Sequence, residues 1–511
     1  MNVACHSAAI DARSHGATGD GTTLDTESIQ RAIDACAPVG GTVFLPPGRY
    51  LSGTLILRSD VTLHISKGAT LLGSTDLQDF PPIRPALRSY GDNYSDKSLI
   101  YGENLERIGI TGEGVIDGQG GSYERKITPL DVRPMILRFV TCRGVRVENV
   151  TIRQSPIFLQ WYLGCRELLI RGVRGFNHCN YQNDFLTIDG CSEVIVQDCI
   201  GDSDDDGITL KSSSDRACEN VTISNCIVST ICSALKFGTE SSGGFRNIVV
   251  SNLVVHQSVQ ENFRKTHRSG LAGIAMSCVD GAELDGVTIS NVVMRGCYTP
   301  LYLRLANRGR PYDDDMPKPP VGRFRNVNIS NIVAVGAAEF ASSISGIPGH
   351  PIENVSLSNI DITCRGGGPR EDRNVDVPEN IDRYPDCHKF GRLPAYGFFC
   401  RHVRGLRFDN VRLNTEQPDD RHGFYGEDLE DFSVDRVAFP RAPNAEAPIR
   451  LKDVKHASVR GCTVQGPVDT FVKVEGAGSR GIVVTANHLP AAGKTVQATG
   501  EVPGSAIAVT S

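Results

Sequence analysis

Two short stretches of the sequence concentrate acidic side chains in a way that acid–base chemistry can use. The first, QNDFLTIDG (182–190), contains Asp184, and the second, GDSDDDGITLKS (201–212), contains Asp205 and Asp206. Carboxylates that crowd together repel one another, so at least one pKa must rise unless cations compensate. In a glycosidase, one carboxylic acid protonates the leaving oxygen and a carboxylate activates water. A Ca²⁺ site and solvated turn residues are the alternatives that the residue types leave open.

The alternation of apolar and polar residues predicts which side chains face outward. In the second stretch Ile208 and Leu210 are the apolar, inward positions. Strand geometry then turns Asp205, Thr209 and Lys211 outward, because successive side chains point to opposite faces.

The same parity in the first stretch places Phe185 outward and Leu186 inward. Asp184 lies two residues before the first inward position of its stretch, as Asp206 does in the other. If the two stretches are successive coils in register, Asp184 and Asp206 stack at one corner, with Asp205 beside them.

A strand phrase that recurs eight times predicts such stacked coils. Apolar and polar residues alternate, then a Ser-Asn or Asp-Asn pair follows, as in VTISNCIV (221–228) and VTISNVVM (287–294). Short strands that repeat one phrase with little helical pattern between them favour a parallel β-helix, whose coils stack about 4.8 Å apart. We expect the repeated Asn residues to adopt the left-handed conformation at a turn and to hydrogen-bond neighbouring backbone, forming a ladder up the stack. They are Asn225, Asn252, Asn291, Asn331, Asn359 and Asn410.

The whole chain, 1–511, is predicted to be one all-β domain, a right-handed parallel β-helix. Residues 1–50 form its N-terminal cap region, where a helix over IQRAIDAC would follow Asp25 and cover the open end of the strands. Residues 440–511 are predicted to form irregular C-terminal rungs.

The composition argues against nucleic acid and the membrane as partners, and it also bears on the location of the protein and on its cysteines. The 511 residues carry a formal net charge of −6, which gives no general attraction to nucleic acid. No apolar run approaches the roughly 20 residues of a membrane span, and the first residues lack a signal peptide, so a cytoplasmic or a trimmed secreted protein is expected. The 16 cysteines have no zinc-site spacing and are expected to be reduced core thiols. No cofactor or metal is predicted, and nothing indicates the oligomeric state.

The sequence resembles glycoside hydrolase family 28, the polygalacturonase-like parallel β-helix enzymes. The resemblance runs from about residue 8 to about residue 415 and includes GATGDGTTLDTESIQRAIDAC, GGTVFLPPGRYLSG and ITGEGVIDGQG. In that family an Asn-x-Asp on one rung and an Asp-Asp on the next carry the catalysis; here Gln182 replaces the Asn. The resemblance implies that Asp205 is the general acid. It also implies that Asp184 and Asp206 hold and activate water, with inversion at the anomeric carbon.

Two features of the family are substituted. Ser233 falls where the family has a histidine, and His178 and His267 are the candidates to replace it. The rung GIAMSC (273–278) carries no cation where the family has the Arg-x-Lys that binds a galacturonate carboxylate. Lys236, outward on the neighbouring strand, is expected above the carboxylates and could compensate.

Further substrate contacts are expected on the same face of the solenoid. Glu240 would pair with Lys236 or bind a sugar hydroxyl, and Tyr302 and Arg304 point outward from LYLRL (301–305). The predicted substrate-binding residues are Thr209, Lys211, Ser233, Lys236, Glu240, His267, Tyr302 and Arg304.

The favoured function is an inverting glycoside hydrolase that acts on a pectin-type or related acidic poly- or oligosaccharide. The loops at 256–272, 306–324 and 364–396 could wall off the groove and restrict cleavage to chain ends. One alternative is a polysaccharide lyase on the same fold, with Ca²⁺ on the Asp cluster and Lys211 or Lys236 as base. The other is a solenoid that binds glycans without turnover.

Overall fold

Parallel strand pairing runs through the whole described part of the chain. The computed structural model describes residues 8–125, 133–258, 270–337, 340–441, 445–489 and 492–510. Each strand pairs in parallel with a strand one coil further along, and the chain winds as a right-handed β-helix. The predicted fold class is confirmed.

The strands are short in the first half of the chain and longer in the second. The first ten are Ala8–Asp11, Asp20–Leu24, Gly41–Leu45, Gly48–Ser52, Leu55–Ile56, Val61–Ile65, Ala69–Gly73, Ser98–Glu103, Gly109–Gly112 and Val115–Asp117. The next ten are Met135–Val140, Arg143–Glu148, Thr151–Arg153, Gln160–Leu163, Arg166–Arg171, Arg174–Asn177, Leu186–Asp189, Ser192–Gln197, Ile200–Ser203 and Ile208–Ser212.

Eleven strands then lie between residues 218 and 439, and seven more complete the stack. The eleven are Cys218–Thr230, Ser233–Ser241, Phe245–His256, Gly270–Cys278, Glu283–Arg295, Cys297–Leu305, Arg323–Ala337, Ser342–Ser345, Ile352–Cys364, Ala395–Thr415 and His422–Phe439. The last seven are Ile449–Lys452, Lys455–Arg460, Thr463–Val464, Val468–Glu475, Arg480–Thr485, Ala492–Thr499 and Ile507–Thr510.

The core is built from columns of apolar side chains that repeat at the same place in each coil. Leu186 pairs with Ile208 and Ile208 with Leu235, and the column continues through Ile274 and Leu301. All five are buried. Burial of apolar surface in such columns is the main stabilising contribution, and it fixes the register because a slip of one residue would turn every column to solvent.

The asparagine ladder is present on the outer surface. All six predicted residues have φ between 53° and 57°, in the left-handed region. The Nδ2 of Asn291 donates to Asn252 Oδ1 at 3.1 Å, and Asn331 Nδ2 donates to Asn291 Oδ1 at 3.0 Å. The bonds therefore run from side chain to side chain, and not to backbone as we expected. A second ladder includes Asn247, whose Nδ2 donates to Asn220 Oδ1 at 3.0 Å.

One α-helix, α1 (Thr26–Cys36), lies within the described residues. It begins three residues earlier than the IQRAIDAC segment, and its buried side chains Ile29 and Ile33 pack toward the first strands. The carboxylate of Asp25 does not cap the helix; it accepts from Thr18 N at 2.7 Å and Gly19 N at 3.0 Å. The short 3₁₀ helices are Ala12–His15, Leu77–Asp79, Tyr90–Asn93, Gly120–Ser122, Arg370–Asn374 and Cys387–Phe390.

Parallel pairing continues through the C-terminal rungs. Ala492–Thr499 pairs in parallel with Val468–Glu475, and Ile507–Thr510 pairs with Arg480–Thr485. No helix in the described ranges has the length and apolar character that a membrane crossing requires. Every described cysteine except Cys232 is buried.

The ladder yields a stability prediction at Asn291. Asn291→Ala removes two side-chain hydrogen bonds and leaves a β-carbon in the left-handed region, so it should lower the free energy of unfolding by about 1–2 kcal/mol. Asn291→Gly removes the same bonds but adopts that φ without strain, so its loss should be smaller. Urea unfolding followed by circular dichroism measures both variants. Equal losses for Ala and Gly would contradict the conformational part of this account.

Candidate active site

Three successive strands carry the acidic cluster. Leu186–Asp189, Ile208–Ser212 and Ser233–Ser241 pair in parallel, with Leu186 opposite Ile208. Asp184 and Asp206 therefore occupy the same place in consecutive coils, two residues before that pair. The backbone follows the same register, because Phe185 N donates to Asp206 O at 3.0 Å.

A cavity of about 170 Å³ opens beside these strands. Its wall includes Asp205, Asp206 and Lys236, and it also includes residues of a segment between 366 and 394. The described lining residues are Asp205, Asp206, Cys232, Ser233, Lys236, Leu271, Ala272, Ala275, Ser277, Tyr302, Tyr384, Pro385, Asp386 and Cys387.

Asp206 is held by two donors at the cavity wall. Lys236 Nζ lies 2.6 Å from its Oδ2, and Ser233 N donates to its Oδ1 at 3.2 Å. Burial raises the pKa of Asp206, while the Lys236 ammonium opposes that rise. The expected position of Lys236 above the carboxylates is found, and Ser233 contacts Asp206 through its backbone.

Asp184 is almost completely buried and is not among the described residues that line the cavity. Lys211 Nζ lies 3.6 Å from its Oδ2, and Thr187 Oγ1 donates to the same oxygen at 3.4 Å. Burial raises the pKa of Asp184 well above its usual value; Lys211 opposes this shift, and the charges of Asp205 and Asp206 add to it. The three carboxylates thus interact electrostatically, although Asp184 lies deeper than the other two.

Asp205 is the more exposed member of the pair at the cavity wall. Its Oδ1 accepts from Asp206 N at 3.0 Å, and its backbone oxygen accepts from Thr230 Oγ1. The two lysines of the site pair with its neighbours, Lys236 with Asp206 and Lys211 with Asp184. The geometry therefore gives each of two carboxylates its own cation.

Lys211 sits in a box of aromatic rings. Its Nζ lies 4.8 Å from the ring centre of Trp161, 5.1 Å from Phe158 and 5.5 Å from Tyr94, and 3.4 Å from Glu240 Oε2. Burial alone would lower the pKa of Lys211, but the carboxylates of Glu240 and Asp184 raise it overall. The ammonium stays charged inside the protein.

Three of the predicted substrate-binding residues lie away from the described cavity lining. Thr209, Lys211 and Glu240 are buried and are absent from the described cavity lining. Glu240 pairs with Lys211 and Arg310 instead of Lys236, and Tyr94 Oη donates to it at 3.0 Å. The strand register shifts after Leu210, so Glu240 comes to lie beside Lys211.

Arg304 also has another position. Its guanidinium is buried and donates to Ser345 Oγ at 2.6 Å and to the backbone oxygens of Glu379 and Asn380 at 2.5 and 3.2 Å. The segment between 366 and 394 passes over Arg304, so this residue anchors a loop. Tyr302 does line the cavity and packs with Phe390 at a ring separation of 6.2 Å.

Phe185 points inward, although alternation predicted that it faces outward. This ring lies in the core, between Gly175 and Gly201, where a β-carbon would come within 2.2 Å of it. Phe185 precedes the strand, at a corner where alternation does not apply, and the two glycines on neighbouring strands leave room for the ring. These glycines were the signal that could have corrected the prediction.

The histidine candidates have different outcomes. His267 lies outside the described residues. His178 Nδ1 contacts Asp204 Oδ1 at 2.7 Å, and its Nε2 lies 3.2 Å from Asp202 Oδ1. Burial would lower the pKa of His178, but hydrogen bonds with Asp202 and Asp204 raise it to about 9. His178 is not among the described lining residues.

The segment between Ala69–Gly73 and Ser98–Glu103 also contributes to the site, which the sequence did not predict. Tyr94 from this segment packs against Phe158 and Trp161 and reaches Glu240. The length of the insertion and its aromatic residues were a signal, but nothing local indicates where such a segment packs.

A metal ion has one set of close donors in the part of the chain that the structure describes. The ligating atoms of Asp205, Asp206 and Cys232 lie within 4.8 Å of one another. The ammonium group of Lys236 already contacts the carboxylate of Asp206. A metal cation at this place would therefore have to displace or repel that ammonium group.

Comparison with known proteins identifies the family. The model of glycosyl hydrolases family 28 matches residues 39–381. The chain belongs to this family. The family 28 match ends before Tyr384 and Asp386, so part of the cavity wall lies beyond it.

Relatives of this family 28 protein carry related names. A probable polygalacturonase of Vitis vinifera is 31% identical over 227 residues, which cover 42% of this chain and 46% of the relative. An exo-poly-alpha-D-galacturonosidase of Dickeya chrysanthemi is 42% identical over 121 residues, which cover 22% and 19%. The chain spans about half or less of the length of these curated relatives.

The fold is also found in solved structures. The exopolygalacturonase of Thermotoga maritima superposes with a TM-score of 0.63 at 20% identity, over 80% of this chain and 92% of that one. The family 28 exopolygalacturonase of Yersinia enterocolitica gives a TM-score of 0.51 at 17% identity, over 97% and 78%. At these identities the comparison supports the fold alone.

Cys232 provides a chemical test of the cavity. It is the one described cysteine that is not buried, and it lines the cavity beside Asp206. A brief exposure of the native protein to N-ethylmaleimide should therefore label Cys232 before the other described cysteines, because burial protects them. Peptide mass spectrometry identifies the site, with the urea-unfolded protein as control. Faster labelling of Cys191 or Cys400 would contradict the described packing.

Proposed function

We propose that the protein is an inverting glycoside hydrolase that cleaves a pectin-type or related acidic poly- or oligosaccharide. The observation that carries this proposal is that Asp205 and Asp206 lie together at one cavity wall, with Asp184 one coil away. Lys236 pairs with Asp206, and Lys211 pairs with Asp184. Family membership supports the reaction class, and the names of the relatives support the pectin-type substrate.

In the proposed reaction Asp205 is the general acid. It gives its proton to the glycosidic oxygen as the bond to the anomeric carbon breaks. A water attacks that carbon from the opposite face, and its proton passes to the carboxylate of Asp206 or Asp184. Lys236 and Lys211 favour the charged forms of Asp206 and Asp184, and so oppose the rise in pKa that burial causes in these two residues.

The contribution of the 366–394 segment to the cavity wall supports action near chain ends. Tyr384, Pro385 and Asp386 line the same cavity as Lys236, and Arg304 holds the backbone oxygens of Glu379 and Asn380 before them. This agrees with the proposed role of the 364–396 loop as a wall. A wall at this place would favour the terminal unit of a chain over the middle of a polymer.

The charge state of the lysines disfavours a lyase. A lyase base must accept a proton, yet Lys211 and Lys236 each pair with a carboxylate and have a raised pKa. Both are therefore protonated. Turnover of an oligosaccharide separates the hydrolase from a solenoid that only binds glycans.

The role of Asp205 has a direct test. Asp205→Asn keeps the side-chain shape but cannot donate a proton as an acid, so kcat on pectic oligosaccharides should fall by about 10²- to 10⁴-fold with an unchanged Tm. Reducing-sugar release measures activity, and NMR of the wild-type product should detect the inverted anomer first. Asp215→Asn, on an exposed neighbouring turn, is the control. Full activity in Asp205→Asn, or a retained anomer, would contradict the proposal.

Lys236 should set the acidic limb of the pH profile. Its charge lowers the pKa of Asp206 in the folded protein, so Lys236→Met should raise that pKa. The base form of Asp206 then appears only at higher pH, and the acidic limb of kcat/KM should move up by about one pH unit or more. Lys236→Arg, which keeps the charge, should hold the limb near its original place. An unshifted limb in Lys236→Met would argue against Asp206 as a base.

A further inference from the structure

One buried ammonium group of the site lies between two carboxylates. Lys211 Nζ is 3.6 Å from Asp184 Oδ2 and 3.4 Å from Glu240 Oε2. The two distances are nearly equal, and both exceed the length of about 2.7–2.9 Å that is typical of a charge-assisted hydrogen bond. The ammonium is therefore shared, and a change at Glu240 alters how closely the positive charge approaches Asp184.

Aromatic rings enclose this ammonium group. The ring centres of Trp161, Phe158 and Tyr94 lie 4.8–5.5 Å from Lys211 Nζ. The side chain of Lys211 keeps only 6% of its surface exposed, so water cannot replace a carboxylate partner that is lost. Trp161 is the single tryptophan of the sequence, so the fluorescence of the protein reports on the surroundings of this ammonium.

The two oxygens of Glu240 have different partners. Oε1 accepts from Tyr94 Oη at 3.0 Å, from Thr239 Oγ1 at 3.3 Å and from Arg310 Nη2. Oε2 is the oxygen that faces Lys211. Arg310 is the one cation among the three donors to Oε1, so it compensates the charge of Glu240 and limits the attraction of Glu240 for Lys211.

Arg310 comes from the segment 306–322, which contains no strand. Its backbone N donates to Oδ1 of the buried Asp280 at 3.0 Å. Its guanidinium carbon lies 3.4 Å from the ring centre of Tyr90, which belongs to a different insertion. Both the backbone and the guanidinium plane are thus held. A segment distant in sequence therefore supplies the last cation of the chain of charges that begins at Asp184.

Glu240 is ionised under ordinary conditions. Burial alone would raise its pKa, but the charges of Lys211 and Arg310 hold the pKa of Glu240 well below its usual value. Arg308 and Lys236 act in the same direction. The attraction between Glu240 and Lys211 is therefore present near neutral pH, and it competes with the attraction between Asp184 and Lys211.

We propose that Glu240 and Arg310 are positioning residues, which place the Lys211 ammonium where it stabilises the negative charge of Asp184. With Arg310 present, Glu240 is compensated and the ammonium stays within reach of Asp184. Without Arg310, Glu240 draws the ammonium toward itself and away from Asp184. The inference rests on the proposed function, because Asp184 is one of the two carboxylates that would receive the proton of the attacking water.

A double-mutant cycle on kcat tests this role. Arg310→Gln removes the charge that compensates Glu240, so kcat on pectic oligosaccharides should fall at least about tenfold, with KM within about twofold of its original value. In a Glu240→Gln background no carboxylate competes for the ammonium, so Arg310→Gln should change kcat less than about threefold. Lys318→Gln, which removes an exposed cation of the same segment, is the matched control and should leave kcat unchanged.

Trp161 fluorescence provides a readout that needs no turnover. Lys211→Met shows how far the emission maximum moves when the ammonium is removed. Arg310→Gln should shift the emission maximum of the otherwise unaltered protein, because the ammonium changes its position beside the ring. The same change should cause no shift in the Lys211→Met background and a smaller one in the Glu240→Gln background.

The outcomes separate a positioning role from a structural one. Equal kcat losses in both backgrounds, an unchanged kcat, a loss confined to KM, or an emission maximum that Arg310→Gln leaves in place would overturn the proposal. If Arg310→Gln melts at a lower temperature, Arg310→Lys keeps the charge and should retain kcat within about threefold; a tenfold loss there, with an unchanged Tm, would also overturn it. Absence of turnover in the unaltered protein would refute the proposed hydrolase function, and the fluorescence comparison then decides whether Arg310 places the ammonium.

Discussion

The structure depends on the in-register stacking of parallel coils. Each side chain lies above its counterpart in the previous coil, so a favourable contact is repeated and an unfavourable one is repeated as well. Apolar columns inside and asparagine ladders outside fix this register, because both are lost if a strand slips by one residue. The same register forces Asp184 and Asp206 into neighbouring positions, where like charges would otherwise destabilise the fold.

The site balances those charges with buried cations. Asp184 contacts Lys211, Lys211 contacts Glu240, and Glu240 contacts Arg310, so opposite charges alternate through the interior. Removing one member of such a chain leaves an unpaired buried charge, which typically costs about 3–5 kcal/mol. Asp205 stands at the edge of this network and closer to solvent. Its different surroundings provide a physical basis for a different role.

Much of the fold could be predicted because local rules determine it. Period-two alternation and the recurring Asn predicted the coils and the ladder, and the spacing before the apolar positions predicted the neighbourhood of Asp184 and Asp206. The failures lie where local rules end. Phe185 turns inward at a corner, and Glu240 moves toward Lys211 after a register shift. Arg304 is covered by a segment distant in sequence, and such packing leaves no local pattern.

The most direct measurement of the central claim is a crystal structure of the Asp205→Asn protein with an uncleaved oligosaccharide. The account predicts that the scissile oxygen lies within hydrogen-bond distance of residue 205. It also predicts a water on the opposite face of the sugar that contacts Asp206 or Asp184. A glycosidic bond bound away from residue 205, or an attacking face without access to either carboxylate, would contradict it.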